Sequence, residues 1–427
     1  MTGVSGRYSR RAFLKLMGLL SGALTLTPAV PVAGQRPIKI GALGPFKRPE
    51  GISIRRGAEM AVAEINTGGG VLGRSLELAL GETEEEPVQG IRAVQDLVLR
   101  QRVNFLVGLF TSEVVLAVLP QIARFRVPLL VTGATTPDAS ARVAADYGRF
   151  KYFFRPMLNA TFLAVDMLQF INGFLKERLG YHKIAIIAED LKWTEPLTGL
   201  LSRELPGFGI EIVSLQRIDP GTQDFAPIFS RIGDADAIFT ALAHVQPVSF
   251  VIQWAELQIP APLFGLNVEA QVPGFFDATR GKAATEVFAD LAAEAPLTEK
   301  TVPFFQNYRG RYSGERELSE RPVFTGPITY DAVYILKEAI ERARTINADP
   351  VVIALEVTDY VGASGRFQFF GLEEGRQDPF GNPHDSRYGP GFVIPIWIQL
   401  QADGRREVIW PERVATAEYI FPAWLQG

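Results

Sequence analysis

The sequence predicts an α/β protein made of two doubly wound parallel-sheet lobes. Short apolar strands alternate with helical segments beyond residue 36, which is the pattern of parallel sheets covered by helices on both faces. The alternation runs through two successive series, separated near the stretch FRPMLNAT at 154–161. The length of 427 residues suffices for two or three domains.

The first series is predicted to hold four strands with helices between them. Its first helix carries small or apolar residues at Ala58, Ala61 and Ile65, which is a helical spacing. In order, the series comprises strand 38–44, that helix, strand 76–80, helix 88–101, strand 104–110, a helix to Phe125 and strand 127–133.

A glycine-rich stretch within this series, NTGGGVLGRSLEL at 66–78, matches the G-x-G-x-x-G spacing at Gly68, Gly70 and Gly73. A phosphate-binding loop of this kind must follow a strand and open a helix. Here a helix precedes the glycines and a strand follows them. The stretch therefore predicts a helix end, where a left-handed backbone favours glycine, and no nucleotide cofactor.

The second series begins with a long helix predicted at 158–180. In order, it continues with strand 183–189, a helix to residue 205, strand 210–218, a helix, strand 236–241, a helix and strand 261–266.

Composition excludes several classes of function. The net charge of −4 gives no basic field for nucleic acid. The chain contains no cysteine, which excludes disulfides and thiol catalysis. The three histidines, His182, His244 and His384, lack the spacing of a zinc site. No nucleophile elbow, P-loop or H-E-x-x-H motif is present, so neither a metal nor an enzymatic activity is predicted.

The N-terminus predicts export. Residues 9–15 read SRRAFLK, the pattern of a twin-arginine (Tat) signal, with the arginine pair at Arg10 and Arg11. The apolar run that follows is too short for a transmembrane helix. We assign residues 1–35 to a cleaved Tat signal peptide and expect a folded protein in the bacterial periplasm.

Ligands of open parallel sheets bind outside the carboxyl ends of the strands. Ser112 and the Thr-Pro pair at 136–137 stand at two helix starts that follow strands of the first series. Two helix N-termini with hydroxyl groups can bind an anion, although the same residues could serve only as helix caps. In the second series, Trp193, His244 and Asn267 follow three strands.

Four segments resemble the branched-chain amino-acid-binding proteins of ABC importers, which have the type I periplasmic-binding fold. The segments are IKIGALGPF, GAEMAVAEINTGGGVLGRSLEL, VGLFTSEVVLAVLPQIARFRVPLLVTGATTP and PITYDAVYILKEAIERA. They come in the family's order, and the resemblance spans nearly the whole mature chain. It implies two lobes joined by a hinge through three chain crossings, with the ligand held in the cleft between them.

The resemblance also implies the limits of the lobes. The first lobe would comprise residues 36–156 and 295–345. The second lobe would comprise residues 157–294 and 346–427, with an extended C-terminal segment. Within that segment, the turn-rich stretch 370–392 is longer than usual and could edge the cleft or a partner surface.

Roles for individual residues follow from the same resemblance. Ser112, Ala134 and Thr135 would hold the carboxylate of a ligand, and Trp193 would close over it. His244 lies near a further ligand contact of the family.

The sequence departs from the family at Asn267, where an acidic residue usually holds the ligand's ammonium group. A neutral amide does not balance a buried cation as a carboxylate does. The departure weakens the expectation of an α-amino-acid ligand, unless Glu269 supplies the charge instead.

These inferences together predict a monomeric periplasmic solute-binding protein that captures a small carboxylate, amide or amino acid and delivers it to an ABC permease. Two alternatives remain open. The same fold could serve a sensor coupled to a signalling protein, or an amidase-like cleft enzyme.

Overall fold

The computed structural model describes residues 36–425 and confirms the predicted α/β class with two parallel sheets. The Tat signal predicted at 1–35 lies outside the described residues. Within 36–425, the helices are all too short or too polar to cross a membrane.

The first lobe is built on a five-stranded parallel sheet in the order β2-β1-β3-β4-β5. Its strands are β1 (Ile38–Gly44), β2 (Leu76–Glu82), β3 (Phe105–Gly108), β4 (Leu129–Val131) and β5 (Phe153–Phe154). Its connecting helices are α1 (Pro49–Thr67), α2 (Pro87–Gln95, continued by a π-helical turn at Asp96–Arg100), α3 (Ser112–Phe125), α4 (Pro137–Ala145) and α5 (Tyr147–Phe150).

The glycine-rich stretch between α1 and β2 ends a helix, as predicted. Gly69 and Gly70 adopt positive φ angles of 100° and 77°. The N–H of Gly70 donates to the carbonyl of Ile65 at 2.9 Å and so closes the last turn of α1. A side chain at Gly70 would meet the carbonyl oxygen of Arg74 at 2.0 Å, so the sharp exit from the helix requires glycine there.

The second lobe is built on a four-stranded parallel sheet in the order β7-β6-β8-β9. Its strands are β6 (Lys183–Glu189), β7 (Glu211–Ile218), β8 (Ala237–Leu242) and β9 (Leu263–Asn267). Its helices are α6 (Ala160–Phe170, continued by a π-helical turn at Ile171–Lys176), α7 (Thr194–Glu204), α8 (Ala226–Phe229), α9 (Pro247–Glu256) and α10 (Phe275–Ala278). Single 3-10 turns occupy Leu205–Phe208 and Glu269–Gln271.

The chain then crosses back and forth between the lobes. The remaining elements are β10 (Val287–Asp290), α11 (Thr301–Tyr312), α12 (Thr325–Ala343), α13 (Ala348–Glu356), β11 (Tyr360–Val361), β12 (Arg366–Phe367), α14 (Leu372–Gln377), β13 (Ile396–Leu400), β14 (Arg406–Trp410) and 3-10 turns at Glu412–Val414 and Ala423–Leu425. Strands β10, β13 and β14 form an antiparallel sheet beside β9. Helix α12 packs against α1 and so returns to the first lobe.

The stretch 346–427 does not belong wholly to the second lobe, in contrast to the expected boundary. Helix α13 packs against α12, because Val351, Val352 and Leu355 form an apolar face that needs cover. Asp385 bridges to Arg155 beside β5. Only from β13 onward does the chain pair with a strand of the second lobe.

Candidate ligand-binding site

The carboxyl ends of both parallel sheets face one cavity between the lobes. Its wall is mostly apolar or aromatic. The first lobe contributes Phe110, Thr111, Ser112, Glu113, Gly133, Thr135 and, from the crossing before α12, Phe324. The second lobe contributes Leu163, Trp193, Ala243, His244, Leu266, Val268, Gln271 and Leu291.

Hydroxyl groups and helix N-termini line the first-lobe wall. Ser112 is the first residue of α3, and its Oγ accepts the N–H of Thr136 at 3.3 Å. Thr136 caps α4, since its Oγ1 accepts the N–H of Asp138 at 3.4 Å. The buried hydroxyls of Thr111 and Thr135 have no hydrogen-bond partner among the described residues. Because the first N–H groups of a helix have no acceptor within it, this wall offers several donors to an anion.

Two of the six predicted site residues lie outside the cavity wall. Ala134 is buried behind it, and its carbonyl accepts Nη1 of Arg155 at 3.3 Å. Asn267 is also buried, and its Nδ2 donates to Glu286 Oε1 at 2.7 Å while its Oδ1 accepts the N–H of Ala270 at 3.2 Å. Both polar atoms of the amide are thus engaged away from the cavity, while the adjacent Leu266 and Val268 line it.

Glu269 does not take the place of the missing acid either. It lines a separate depression at the mouth of the cleft, together with Arg48, Glu50 and His244. Burial raises the pKa of Glu269, and the nearby Glu50 raises it further. Glu113 is the only carboxylate among the residues that line the cavity, and its Oε1 accepts the backbone N–H of Lys192 at 3.2 Å.

The second-lobe wall is organised around Glu189, the last residue of β6. Its side chain is fully buried. Oε2 accepts the backbone N–H groups of Ala243, His244 and Val245 at 3.0, 2.8 and 3.2 Å. Oε1 accepts the indole N–H of Trp193 at 2.6 Å and lies 2.8 Å from Nδ1 of His244. Burial alone would raise the pKa of Glu189, but the hydrogen bonds from His244 and the backbone lower it.

His244 lies between two carboxylates. Its Nδ1 faces Glu189, and its Nε2 lies 3.3 Å from Oε1 of Glu85 in the first lobe. Burial alone would lower the pKa of His244, but its pairing with Glu189 and Glu85 outweighs burial and raises the pKa to about 9. The imidazole is therefore a cation at neutral pH. Its ring also packs on Phe110, with ring centroids 5.4 Å apart.

The structure brings Ser112, Thr135, Trp193 and His244 together around one cavity. Sequence reasoning missed the residues that complete it, among them Glu189. A glutamate that ends an otherwise apolar strand, KIAIIAE, was a usable signal, because a buried charge requires dedicated partners. Phe324 carried no such signal, because it reaches the cavity from the crossing segment. Within residues 36–425, no cluster of side chains has the composition of a metal site.

Comparisons with known proteins agree with the geometry. The family model described as periplasmic binding protein matches residues 37–378. A Leu/Ile/Val-binding protein homolog of Brucella melitensis is 27% identical over 360 residues, which cover 81% of this chain and 89% of the relative.

Solved structures share the fold. An ABC transporter substrate-binding protein from Sphaerobacter thermophilus is 21% identical, with a TM-score of 0.72 over 90% of this chain and 100% of that one. A solute-binding protein of an ABC transporter from Rhodopseudomonas palustris, in complex with 3,4-dihydroxy benzoic acid, is 19% identical, with a TM-score of 0.70 over 86% of this chain and 94% of that one. The resemblance inferred from the sequence is confirmed.

Proposed function

Since the chain belongs to the periplasmic binding protein family, we propose that it is the solute-binding protein of an ABC importer. It captures a small carboxylate with an apolar or aromatic body between its lobes and delivers it to a permease in the inner membrane. The related proteins named above include a Leu/Ile/Val-binding protein homolog and a protein holding 3,4-dihydroxy benzoic acid. Both kinds of ligand carry a carboxylate.

The observation that carries this proposal is that the cavity offers several hydrogen-bond donors to an anion but almost no counter-charge to a cation. The first-lobe wall offers an anion the hydroxyls of Ser112 and Thr135 and the N-terminus of α3. For an ammonium group, the only carboxylate that lines the cavity is Glu113, which already accepts a backbone N–H. Desolvating a cation without a dedicated counter-charge is costly. We therefore infer that acids without an α-amino group bind better than α-amino acids.

The rest of the cavity favours an apolar ligand body. Phe110, Trp193 and Phe324 present aromatic rings, and Leu163 and Leu291 add aliphatic surface. The indole N–H of Trp193 is committed to Glu189, so this ring offers the ligand its apolar face. Burial of flat or branched apolar groups against such rings contributes most of the affinity of comparable pockets.

A calorimetric comparison of leucine with its deaminated analogue, 4-methylpentanoate, tests the ligand class, with benzoate as an aromatic probe. We expect both acids to bind more tightly than leucine. Ser112→Ala should weaken the binding of both acids by about 1.5–3 kcal/mol, the usual range for a hydrogen bond to a charged group. Ser230→Ala, on the exposed surface of the second lobe, is the matched control and should change nothing. Tighter binding of leucine than of 4-methylpentanoate would reject the proposed ligand class.

A further inference from the structure

We propose that Glu85, His244 and Glu189 form an interlobe latch that holds the cleft closed, with Glu189 acting as the positioning residue that aligns His244 toward Glu85. This inference rests on the proposed function, because a latch has a role only in a protein that opens and closes around a ligand. Two carboxylates and one imidazole make these contacts, which span both lobes.

Contacts within the second lobe alone fix the orientation of the His244 ring. Glu189 binds the imidazole at Nδ1 and also the backbone N–H groups of residues 243–245. One buried carboxylate thereby sets both the loop after β8 and the direction of the ring. Charge-assisted hydrogen bonds of this kind are short and directional, so Nε2 is left pointing toward the first lobe.

On the first lobe, Glu85 is held in the facing position by Arg48. Nη1 of Arg48 lies 3.2 Å from Oε2 of Glu85. Oε1 of Glu85 lies 3.3 Å from Nε2 of His244, an ion-pair distance without hydrogen-bond geometry. Nη2 of Arg48 crosses the cleft as well and donates to the carbonyl of Ala243 at 3.1 Å. The two lobes are thus joined by two neighbouring polar contacts at one edge of the ligand cavity.

The latch and the ligand cavity meet at His244. Glu189 Oε1 accepts the indole N–H of Trp193 as well as facing His244. His244 itself lines the cavity and packs on Phe110. A ligand that seats Trp193 therefore also favours the orientation of Glu189 that serves the latch, which couples ligand contact to closure.

The charges around His244 decide the direction of its pH dependence. The groups that face it or share its depression are Glu85 and Arg48 from the first lobe, Glu50 beside Arg48, and Glu189 and Glu269 from the second lobe. Opening the cleft removes Glu85 but keeps Glu189. Loss of Glu85 removes one of the two carboxylates that raise the pKa of His244, which is about 9 in the closed form, while Glu189 keeps that pKa raised in the open form. A group whose pKa is higher in the closed form stabilises that form at lower pH. Closure should therefore weaken as the pH rises through about 9.

Lobe separation can be measured without any ligand. The chain has no cysteine, so Leu99→Cys in the first lobe and Leu257→Cys in the second, both exposed positions, can carry spin labels without background. Pulsed dipolar spectroscopy of this double variant would give the ratio of closed to open molecules between pH 7 and 10.5. We expect the ratio to fall as the pH rises, and a tenfold fall would correspond to a one-unit difference in the pKa of His244 between the two forms.

Glu85→Gln in the same labelled protein should abolish that fall, and imidazole NMR should show a lower pKa for His244. Glu189→Gln should have the same two effects although Glu85 is intact. If that variant does not fold, Glu85→Gln alone carries the test. Glu84→Gln, one residue away and paired with Lys47 of its own lobe, is the matched control. Two results would overturn the latch: a closed fraction that does not change with pH, or the same pKa for His244 in the parent protein and in Glu85→Gln. Because no ligand is added, either result is independent of whether carboxylates bind.

Discussion

Arg155 and Asp385 form an ion pair whose side chains are both fully buried. Nε and Nη2 of Arg155 lie 2.8 and 2.6 Å from Oδ1 of Asp385. Oδ2 accepts hydrogen bonds from Ser140 and Asn159 at 2.9 and 2.8 Å. The pair ties the long turn-rich stretch 370–392 to the first lobe. This stretch thus contributes to the scaffold beside β5.

Removing the carboxylate from this pair should cost much of the protein's stability. Asp385→Asn leaves the Arg155 guanidinium buried without a counter-charge, and breaking a buried pair in this way costs about 3–5 kcal/mol. Urea unfolding would measure the loss. The control is Asp359→Asn, which removes the partner of Arg366 in an exposed pair and should change stability little, because water solvates both groups. Equal losses in the two variants would contradict this account.

Helices α1 and α12 pack closely, because each presents a glycine at the contact. A Cβ added to Gly57 of α1 would lie 2.2 Å from the carbonyl oxygen of Gly326 in α12. Through this contact α12 packs on the first lobe, although it follows the strands of the second lobe in the sequence. The close approach of the two helix backbones therefore helps to hold α12 in the first lobe.

Gly57→Ala should destabilise the protein although alanine favours helices. The added methyl group forces the helices apart, and overpacking of this kind costs about 1–3 kcal/mol. Gly310→Ala in α11 is the matched control, because nothing lies within 4 Å of its added Cβ. There the helix preference of alanine should raise stability by about 0.5–1 kcal/mol. Melting temperatures that move in the same direction in both variants would refute the close-contact explanation.

At the level of elements, the sequence predicts what local periodicity controls. Strands β1 to β4 and β6 to β9 of the two parallel sheets and the helix end at Gly70 follow from neighbouring residues, and the structure contains them. Strand β5, which has only two residues, was missed. Strands β10 and β13 were also missed, because their pairing joins Val287 to Gln399 across a long stretch of sequence. The lobe of α13 was misassigned for a related reason. An apolar helix face shows that it needs cover but does not identify its partner.

The same distinction applies to the site. Ser112, Trp193 and His244 reach the cavity because they follow strands whose carboxyl ends face it. Asn267 ends β9 at a comparable position, yet it pairs with Glu286, a contact that no local pattern specifies. Position along the chain thus predicted which loops form the site, while side-chain direction depended on tertiary hydrogen bonds.

In the whole molecule, polar contacts join the lobes on both sides of the cavity. On one side His244 faces Glu85, and on the other Nζ of Lys192 lies 3.6 Å from Oδ2 of Asp138. These contacts bring together residues far apart in sequence. The ligand site therefore exists only once both lobes have folded and the chain has completed its crossings.

We expect such a protein to cross the membrane already folded, through the Tat pathway predicted from Arg10 and Arg11. The pathway reads the twin arginine itself, so replacing both residues by lysine should retain the precursor in the cytoplasm even though the charge is kept. Fractionation of cells followed by immunoblotting would measure the distribution. Arg7→Lys, a basic residue just before the motif, is the matched control and should leave export intact. Normal accumulation of the Arg10→Lys, Arg11→Lys variant in the periplasm would reject Tat export, and the signal would then have to act through a pathway that accepts an unfolded chain.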